Sequence, residues 1–550
     1  MSMITATAWV RRGVAAQFPE RYEIDEAEIS RISKLAKVQL ESARTDLEAA
    51  RDAGDDDNED GDEDDVMDTV DDAEVEKKSE KEKGEKKGKG VDEDDELAEY
   101  DMEHYDSDPR DEEGDEVTMF GNVQSLAYHQ PHEKDPYLVL PDKADGAGDD
   151  SDEEREDLQI LPSDNLLLAG KVEDEVAHLE VYVYEDEADN LYVHHDVMLP
   201  AIPLCVEWLD IPVGSQARET GRSHGNFVAV GTMEPDIEIW DLDVVDCMYP
   251  SAILGKAPDD EGEQQKKKKK KKKSVAKKND EYHVDAVLGL AANRQHRNLL
   301  ASASADCTVK LWDLNDANTT RCAKSYTHHT DKVCSIDWHS KESTVLLSGS
   351  YDRSVVACDM RSAEGQVGRW TVPSDVECVR WDPLDSNIFY ITTDGGQVVC
   401  HDLRTPDSAL WTLQAHDSSV SSFDVNAFIP GFLVTGSTDK TVKIWNVLDN
   451  KPSMVVSRKV EEVGKVFSTG FGPDRGVAFR LSIAGSKGAV KVWDTSTNGA
   501  IRRAFATKMA ASAEEMGVRE GRAEGEGQGM VGVADDEEED DDDDEDAEMK

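Results

Sequence analysis

Three times along this chain a histidine, a serine or threonine and an aspartate recur in the same order: His283, Ser302, Asp306; His329, Ser348, Asp352; His416, Thr435, Asp439. An imidazole, a hydroxyl and a carboxylate are the parts of a nucleophilic hydrolase, in which the base takes the hydroxyl proton and the acid orients the base. An active site needs one such set, and here there are three. Trp312 and Trp445 complete the first and third sets, and Cys358 stands at that place in the second. Repetition favours a buried hydrogen-bond chain that ties a repeated unit together, each link worth about 1 kcal/mol net. With no glycine-rich phosphate loop and no unrepeated nucleophile and base, the chain reads as non-enzymatic, with no catalytic residue and no cofactor.

The eight cysteines include no CxxC pair, which reads as reduced, buried thiols of a cytosolic or nuclear protein. Neither Cys nor His shows zinc-ligand spacing, so no metal is expected. No segment approaches the ~18 apolar residues of a membrane span, and no membrane partner is expected.

Charge is the other carrier of chemistry. Lys266, Lys267, Lys268, Lys269, Lys270, Lys271, Lys272 and Lys273 form an unbroken run, followed by Lys277 and Lys278. Such a run is a nuclear or nucleolar address, a phosphate-binding arm for RNA, or a solvated charge run. Lysine meets phosphate as a point charge, so an RNA contact here is blind to sequence. The net charge is −59, and most of it is concentrated: residues 51–116 hold 33 Asp/Glu against 9 Lys/Arg, and residues 535–548 hold 13 against none. Those stretches suit basic partners such as ribosomal proteins, histones or lysine-rich assembly factors; simple solubility is the alternative. Ser151, followed by Asp152, Glu153 and Glu154, resembles an acidophilic-kinase site.

Near the N-terminus Trp9, Val10, Arg11 and Arg12 combine an aromatic with two cations, a mixture enriched at protein interfaces. Residues 25–51 read as a helix with Asp25 as N-cap, Glu28 three residues on and one narrow apolar stripe. Together they read as a partner-docking motif, with packing on this protein's own fold as the alternative.

The elements that position these groups follow from an internal repeat. Strands ending in Trp-Asp or a degenerate form of it place Tyr184, Trp240, Trp312, Cys358, His401, Trp445 and Trp493 in register, at spacings of 56, 72, 46, 43, 44 and 48. The last four spacings suit a four-stranded propeller blade of ~40–45 residues, and the first two carry insertions. Period-2 alternation with turn residues gives an inner, a second and a third strand in each unit. The fold expected is all-β: a seven-bladed WD-repeat β-propeller with disordered acidic tails and a short N-terminal helix. Its expected divisions are 1–54 (docking motif and helix), 55–116 (acidic, disordered), 117–507 (propeller, with a disordered lysine-rich insertion at 256–281) and 508–550 (acidic, disordered). A fourth strand for the last blade comes from residues 117–128, favoured because joining the two ends latches the ring, or from residues 500–507.

The motifs WVRRGVA (9–15), DDELAEYDMEHYD (94–106), DPYLVLPD (135–142), PSDNLLLAG (162–170) and YVHHDVMLPAIPLCVEWL (192–209) lie outside the generic repeat. With LASASADCTVKLWD and SGSYDRSVVACD they resemble the periodic tryptophan protein 1 family, over nearly the whole chain. That resemblance implies a nucleolar, nuclear scaffold in ribosome biogenesis, associated with assembly factors, large-subunit pre-ribosomal particles and rRNA production. Contact with pre-rRNA through the lysine loop would accompany that role. The alternative is a chromatin- or histone-binding propeller acting in transcription.

Overall fold

Strands rich in Val, Ile, Leu and small residues dominate the structure, a computed structural model that describes residues 2–22, 158–174, 176–213, 224–255, 279–315, 322–361, 366–405, 408–509 and 530–533. They form seven four-stranded antiparallel sheets, here called blades 1 to 7. The middle strands are buried on both faces, as in Val345–Ser350 and Phe227–Thr232, because each sheet is sandwiched between two others. Alternation of polar and apolar side chains survives on inner and outer strands, where one side meets water.

From inside outward, blade 1 is Ser2–Val10, Asn165–Glu173, Val176–Glu185 and Asn190–Leu199. Blade 2 is Pro203–Leu209, Phe227–Thr232, Ile237–Asp241 and Ala252–Leu254; blade 3 is Val287–Ala292, Leu299–Ser304, Val309–Asp313 and Lys324–Tyr326. Blade 4 comprises Val333–Trp338, Val345–Ser350, Ser354–Asp359 and Gln366–Thr371, and blade 5 Val376–Trp381, Ile388–Thr393, Gln397–Asp402 and Trp411–Gln414. Blade 6 comprises Ser422–Val425, Phe432–Gly436, Thr441–Leu448 and Lys451–Lys459, and blade 7 Val466–Phe471, Arg480–Gly485, Val490–Asp494 and Met530–Val533. The seven inner strands touch in cyclic order, and Ser2–Val10 lies between those of blades 7 and 2, so the ring closes.

The turn from second to third strand repeats one backbone trick. Cys307, Arg353 and Lys440 take φ of 65°, 61° and 65° directly after the turn aspartate, and Gly396 and Gly488 hold the same position at 79° and 69°. Blade 7 has no aspartate at this turn, but Gly488 supplies the left-handed residue without steric cost.

The ring extends beyond 117–507 at both ends. Its first inner strand is the N-terminus itself, so Trp9 and Val10 belong to blade 1 rather than to a free docking peptide. The fourth strand of blade 7 is Met530–Val533, paired with Val490–Asp494, so the tail assigned to 508–550 contributes an element. Neither expected segment supplies that strand. Residues 500–507 lie instead in a helix, α1 (Gly499–Met509), whose Ile501 and Phe505 share one face and are fully buried. Phe505 stacks 4.3 Å from Phe432, and the Asn498 side chain accepts from the Ala500 amide at 2.9 Å to start the helix. A four-residue apolar island in a glycine- and glutamate-rich stretch is enough for an outer strand, because only backbone pairing and one face are required of it. Residues 117–128, the 25–51 helix, the lysine run, the acidic stretches and Ser151 lie outside the described residues.

Since neighbouring strands alternate in direction, turns from second to third strand and links from one blade to the next lie on one face of the ring. Links from inner to second and from third to outer strand lie on the other. The chain therefore leaves at Tyr22 and returns at Leu158 on the second face, where the Ile160 amide donates to the Gln17 carbonyl at 3.0 Å. Gly255 and Asn279, which bracket the lysine run, are in the blade 2 to blade 3 link on the first face.

Candidate functional site

The three His-Ser/Thr-Asp sets are assembled, once each, in blades 3, 4 and 6. In blade 3, His283 Nδ1 lies 2.9 Å from Asp306 Oδ2 and Nε2 lies 2.7 Å from Ser302 Oγ, while the Trp312 indole donates to the same hydroxyl at 2.8 Å. The proton order follows: indole N–H to hydroxyl, hydroxyl to imidazole, imidazole N–H to carboxylate. Blade 6 repeats it, with His416 at 2.9 Å from Asp439 and 2.8 Å from Thr435, and Trp445 donating to Thr435 at 3.0 Å. In blade 4, His329 reaches Asp352 at 3.1 Å and Ser348 at 2.8 Å, but Cys358 has no indole to offer, so the Ser348 hydroxyl, its one proton given to His329 Nε2, accepts nothing from the marker place.

Burial lowers the pKa of all three histidines despite the adjacent carboxylates, so they are neutral at pH 7. Burial alone would raise Asp306; hydrogen bonds from His283 and Thr308 more than offset it and hold the carboxyl at about 2. Ser302 and Thr435 are fully buried and Ser348 nearly so, which leaves no room for a substrate carbonyl at any of the three hydroxyls. These sets lock the strands of a blade; they have hydrolase parts without a hydrolase site.

Blades 5 and 7 dispense with the set. His401 takes the marker place in blade 5, stacks on Phe389 at 5.4 Å and lies 6.2 Å from Trp370, while Trp381 packs on the same Phe389, exchanging a polar lock for an aromatic one. Trp493 in blade 7 lies under the Arg458 guanidinium at 4.9 Å. The aspartate after the marker closes the turn that follows. Asp313, Asp359, Asp402 and Asp494 accept there from the amides of Asn315, Arg361, Arg404 and Ser496 at 2.8–3.0 Å.

Two sets of residues, none but Arg12 singled out from the sequence, join blade to blade. On the inner strands Glu207, Asp337 and Asp424 accept from the amides of Ala292, Trp381 and Phe471 at 3.1, 2.7 and 2.8 Å, each clamping the neighbouring inner strand. Burial pushes Asp337 up to about 6, and Arg380 at 3.7 Å opposes that. The only sequence signal for this clamp is the acidic residue just before an inner-strand tryptophan, in VEW and IDW.

The second set closes the ring. Arg480, 0% exposed, pairs with Asp186 at 2.7 Å and Asp494 at 2.8 Å, and Arg12 reaches Asp186 at 3.3 Å. Asp474 accepts from the Arg12 amide at 2.9 Å and from the Asn165 side chain at 2.8 Å. Four separated pieces of chain meet there. Of the expected docking residues, Trp9, Val10 and Arg12 are spent on this seam, and Arg11 is exposed beside them. The reason is that nine consecutive residues pair along Asn165–Glu173 as an inner strand, which a free peptide does not do.

Among the described residues no cluster of histidine, cysteine and carboxylate groups forms a metal site, and no helix is long and apolar enough to cross a membrane. The eight cysteines are unpaired; Cys358 and Cys400 are buried and the rest half-buried.

Residues 278–313, 320–358 and 407–446 match the family described as WD domain, G-beta repeat, and these are the three blades that hold the His-Ser/Thr-Asp sets. A WD repeat-containing protein of Schizosaccharomyces pombe is 46% identical over 92% of this chain and 92% of its own length. Periodic tryptophan protein 1 of Saccharomyces cerevisiae is 38% identical over 92% of this chain and 90% of its own. The periodic tryptophan protein 1 homolog of Drosophila melanogaster is 32% identical over 81% of this chain and 84% of its own. With relatives matched over 81–92% of the chain and the repeat seated in three of the blades, the chain belongs to the periodic tryptophan protein 1 family of WD-repeat proteins.

Proposed function

We propose that this protein is a non-enzymatic scaffold in nucleolar ribosome biogenesis, working with assembly factors on large-subunit precursors and in rRNA production. The observation that carries the reading is the relationship to periodic tryptophan protein 1 over about nine-tenths of the chain. The geometry fits a scaffold: the hydrolase-like groups are buried inside blades, and the ring is closed by ion pairs and indole bonds that make it a rigid platform. The described residues Gly255 and Asn279 lie on one face of the ring, and Tyr22 and Leu158 on the other. In this reading the lysines touch pre-rRNA or an import receptor, and the acidic stretches hold basic ribosomal proteins.

The test is gradient sedimentation of the native protein from nuclei. Co-migration with large-subunit precursors, abolished by RNase, supports the proposal; a free peak at every salt concentration tried refutes it. A stretch with 13 acidic residues and no base, 535–548, suits histones equally well. Retention on nucleosomes after RNase treatment would select that second reading.

A further inference from the structure

We propose that the groove between blades 4 and 5 is a binding site for an extended peptide that inserts an oxyanion-bearing side chain. A cavity of about 340 Å³ opens there, lined by Arg369 and Trp370 of the blade 4 outer strand, Gln397 and His401 of the blade 5 third strand, and Ser408 and Thr412 beyond it. It lies where the repeat is broken. His401 replaces the marker tryptophan, and Ile391 stands where blades 3, 4 and 6 carry the Ser or Thr, so nothing of the blade's own hydrogen-bond chain is left.

Two buried nitrogens are stranded as a result. Trp370 is 4% exposed and His401 7%, yet Trp370 Nε1 and His401 Nδ1 have no hydrogen-bond partner among the described residues. The indoles of Trp312, Trp338, Trp381 and Trp445 all reach acceptors. A buried N–H without an acceptor is costly, and Trp370 and His401 both line the same cavity.

The lining defines the ligand. It contains one cation, Arg369 at the exposed rim, tethered to Ser354 Oγ at 3.2 Å, and no carboxylate. Donors with a cation and no competing anion select an acceptor of negative charge, the carboxylate of Asp or Glu or the phosphate of a phosphoserine. The volume admits a side chain, and the adjacent four-residue outer strand Trp411–Gln414 offers backbone edge groups to an extended chain. This chemistry does not depend on which particle the ring serves.

The test uses the full chain with ¹⁵N-labelled tryptophan indoles and follows the resonance that Trp370→Phe removes. The readout must be local, because the lysine run would hold anionic peptides elsewhere. The probes are octaglutamate, a glycine peptide with a single phosphoserine, and octaglutamine. The Trp370 resonance should shift with octaglutamate or the phosphoserine peptide, whichever binds more tightly identifying the oxyanion, and stay in place with octaglutamine. Arg369→Gln, on the exposed rim, should raise the titration midpoint about tenfold. No shift with either anionic peptide, an equal shift with octaglutamine, or an unchanged midpoint in Arg369→Gln overturns the proposal.

Discussion

Trp9 and Gly470 are 461 residues apart, and the indole of the first donates to the carbonyl of the second at 3.1 Å. The same bond recurs between neighbours: Trp338 donates to Ala291 at 3.0 Å and Trp381 to Asp337 at 3.2 Å, always the residue before the preceding blade's counterpart. Trp9 is thus one of a series of seam tryptophans, delivered by the N-terminus. Removing its side chain should act on the whole ring. Trp9→Ala is expected to cost about 2–4 kcal/mol, somewhat below a fully buried tryptophan because Trp9 is half-buried. Urea denaturation checks it; a variant that unfolds like the parent would return Trp9 to a docking role.

The Arg480 network should behave as a buried ion cluster. Arg480→Met leaves the buried Asp494 without its cation and Asp186 with Arg12 alone, at an expected cost of about 3–5 kcal/mol. Adding Asp494→Asn should recover part of that loss, since the stranded charge is then gone. Additive losses in the double variant would show that the two side chains are not coupled.

Serine deletions should rank by how many partners they strand. Ser302→Ala leaves both the Trp312 N–H and His283 Nε2 unsatisfied, whereas Ser348→Ala strands only His329 Nε2 of its set. At about 1–3 kcal/mol per unsatisfied buried group, Ser302→Ala should be the more damaging. Thermal melting of the two variants side by side decides this, and neither should alter any chemical turnover.

Acid should loosen the ring from near pH 6.5 downward. His283, His329 and His416 have folded pKa values below 6.5, so the unfolded chain binds protons that the native one refuses, and stability falls with pH through that range. Each histidine contributes at most about 1.4 kcal/mol one unit below 6.5. The Asp306 carboxyl, held at about 2, gives stability that is complete above 3.8 and lost only on further acidification, so the two effects separate along the pH axis. His416→Gln should shift the urea-midpoint slope between pH 7 and 5.5 toward weaker acid destabilisation without removing it. His194, His195, His328 and His401 are lowered too, and Glu238, Glu377 and Asp337, raised by burial, act in the opposite sense. An unchanged slope would mean that the His416 imidazole is already charged in the folded state.

Blade 7 should tolerate losing its last strand only partly. A Cβ at Gly532 would meet the Val490 carbonyl oxygen at 2.2 Å, so Gly532→Val should detach Met530–Val533 while leaving the inner three strands in place. Faster amide exchange confined to Val490–Asp494 is the expected result, and protection equal to the parent's would contradict the pairing.

What the sequence by itself determined is whatever repeats locally. The marker spacing, the turn aspartates before Cys307, Arg353 and Lys440, and the three His-Ser/Thr-Asp sets are read within about 45 residues, because each blade is one supersecondary unit whose strands are neighbours in the chain. What only the tertiary structure decided is how a line of such units becomes a ring. Inner and outer strands can come from any segment with the right alternation, and loop closure entropy grows only slowly with length. Nothing local therefore distinguishes Ser2–Val10 or Met530–Val533 from a tail, and the clamp carboxylates Glu207, Asp337 and Asp424 acquire their meaning only from the strand that arrives beside them.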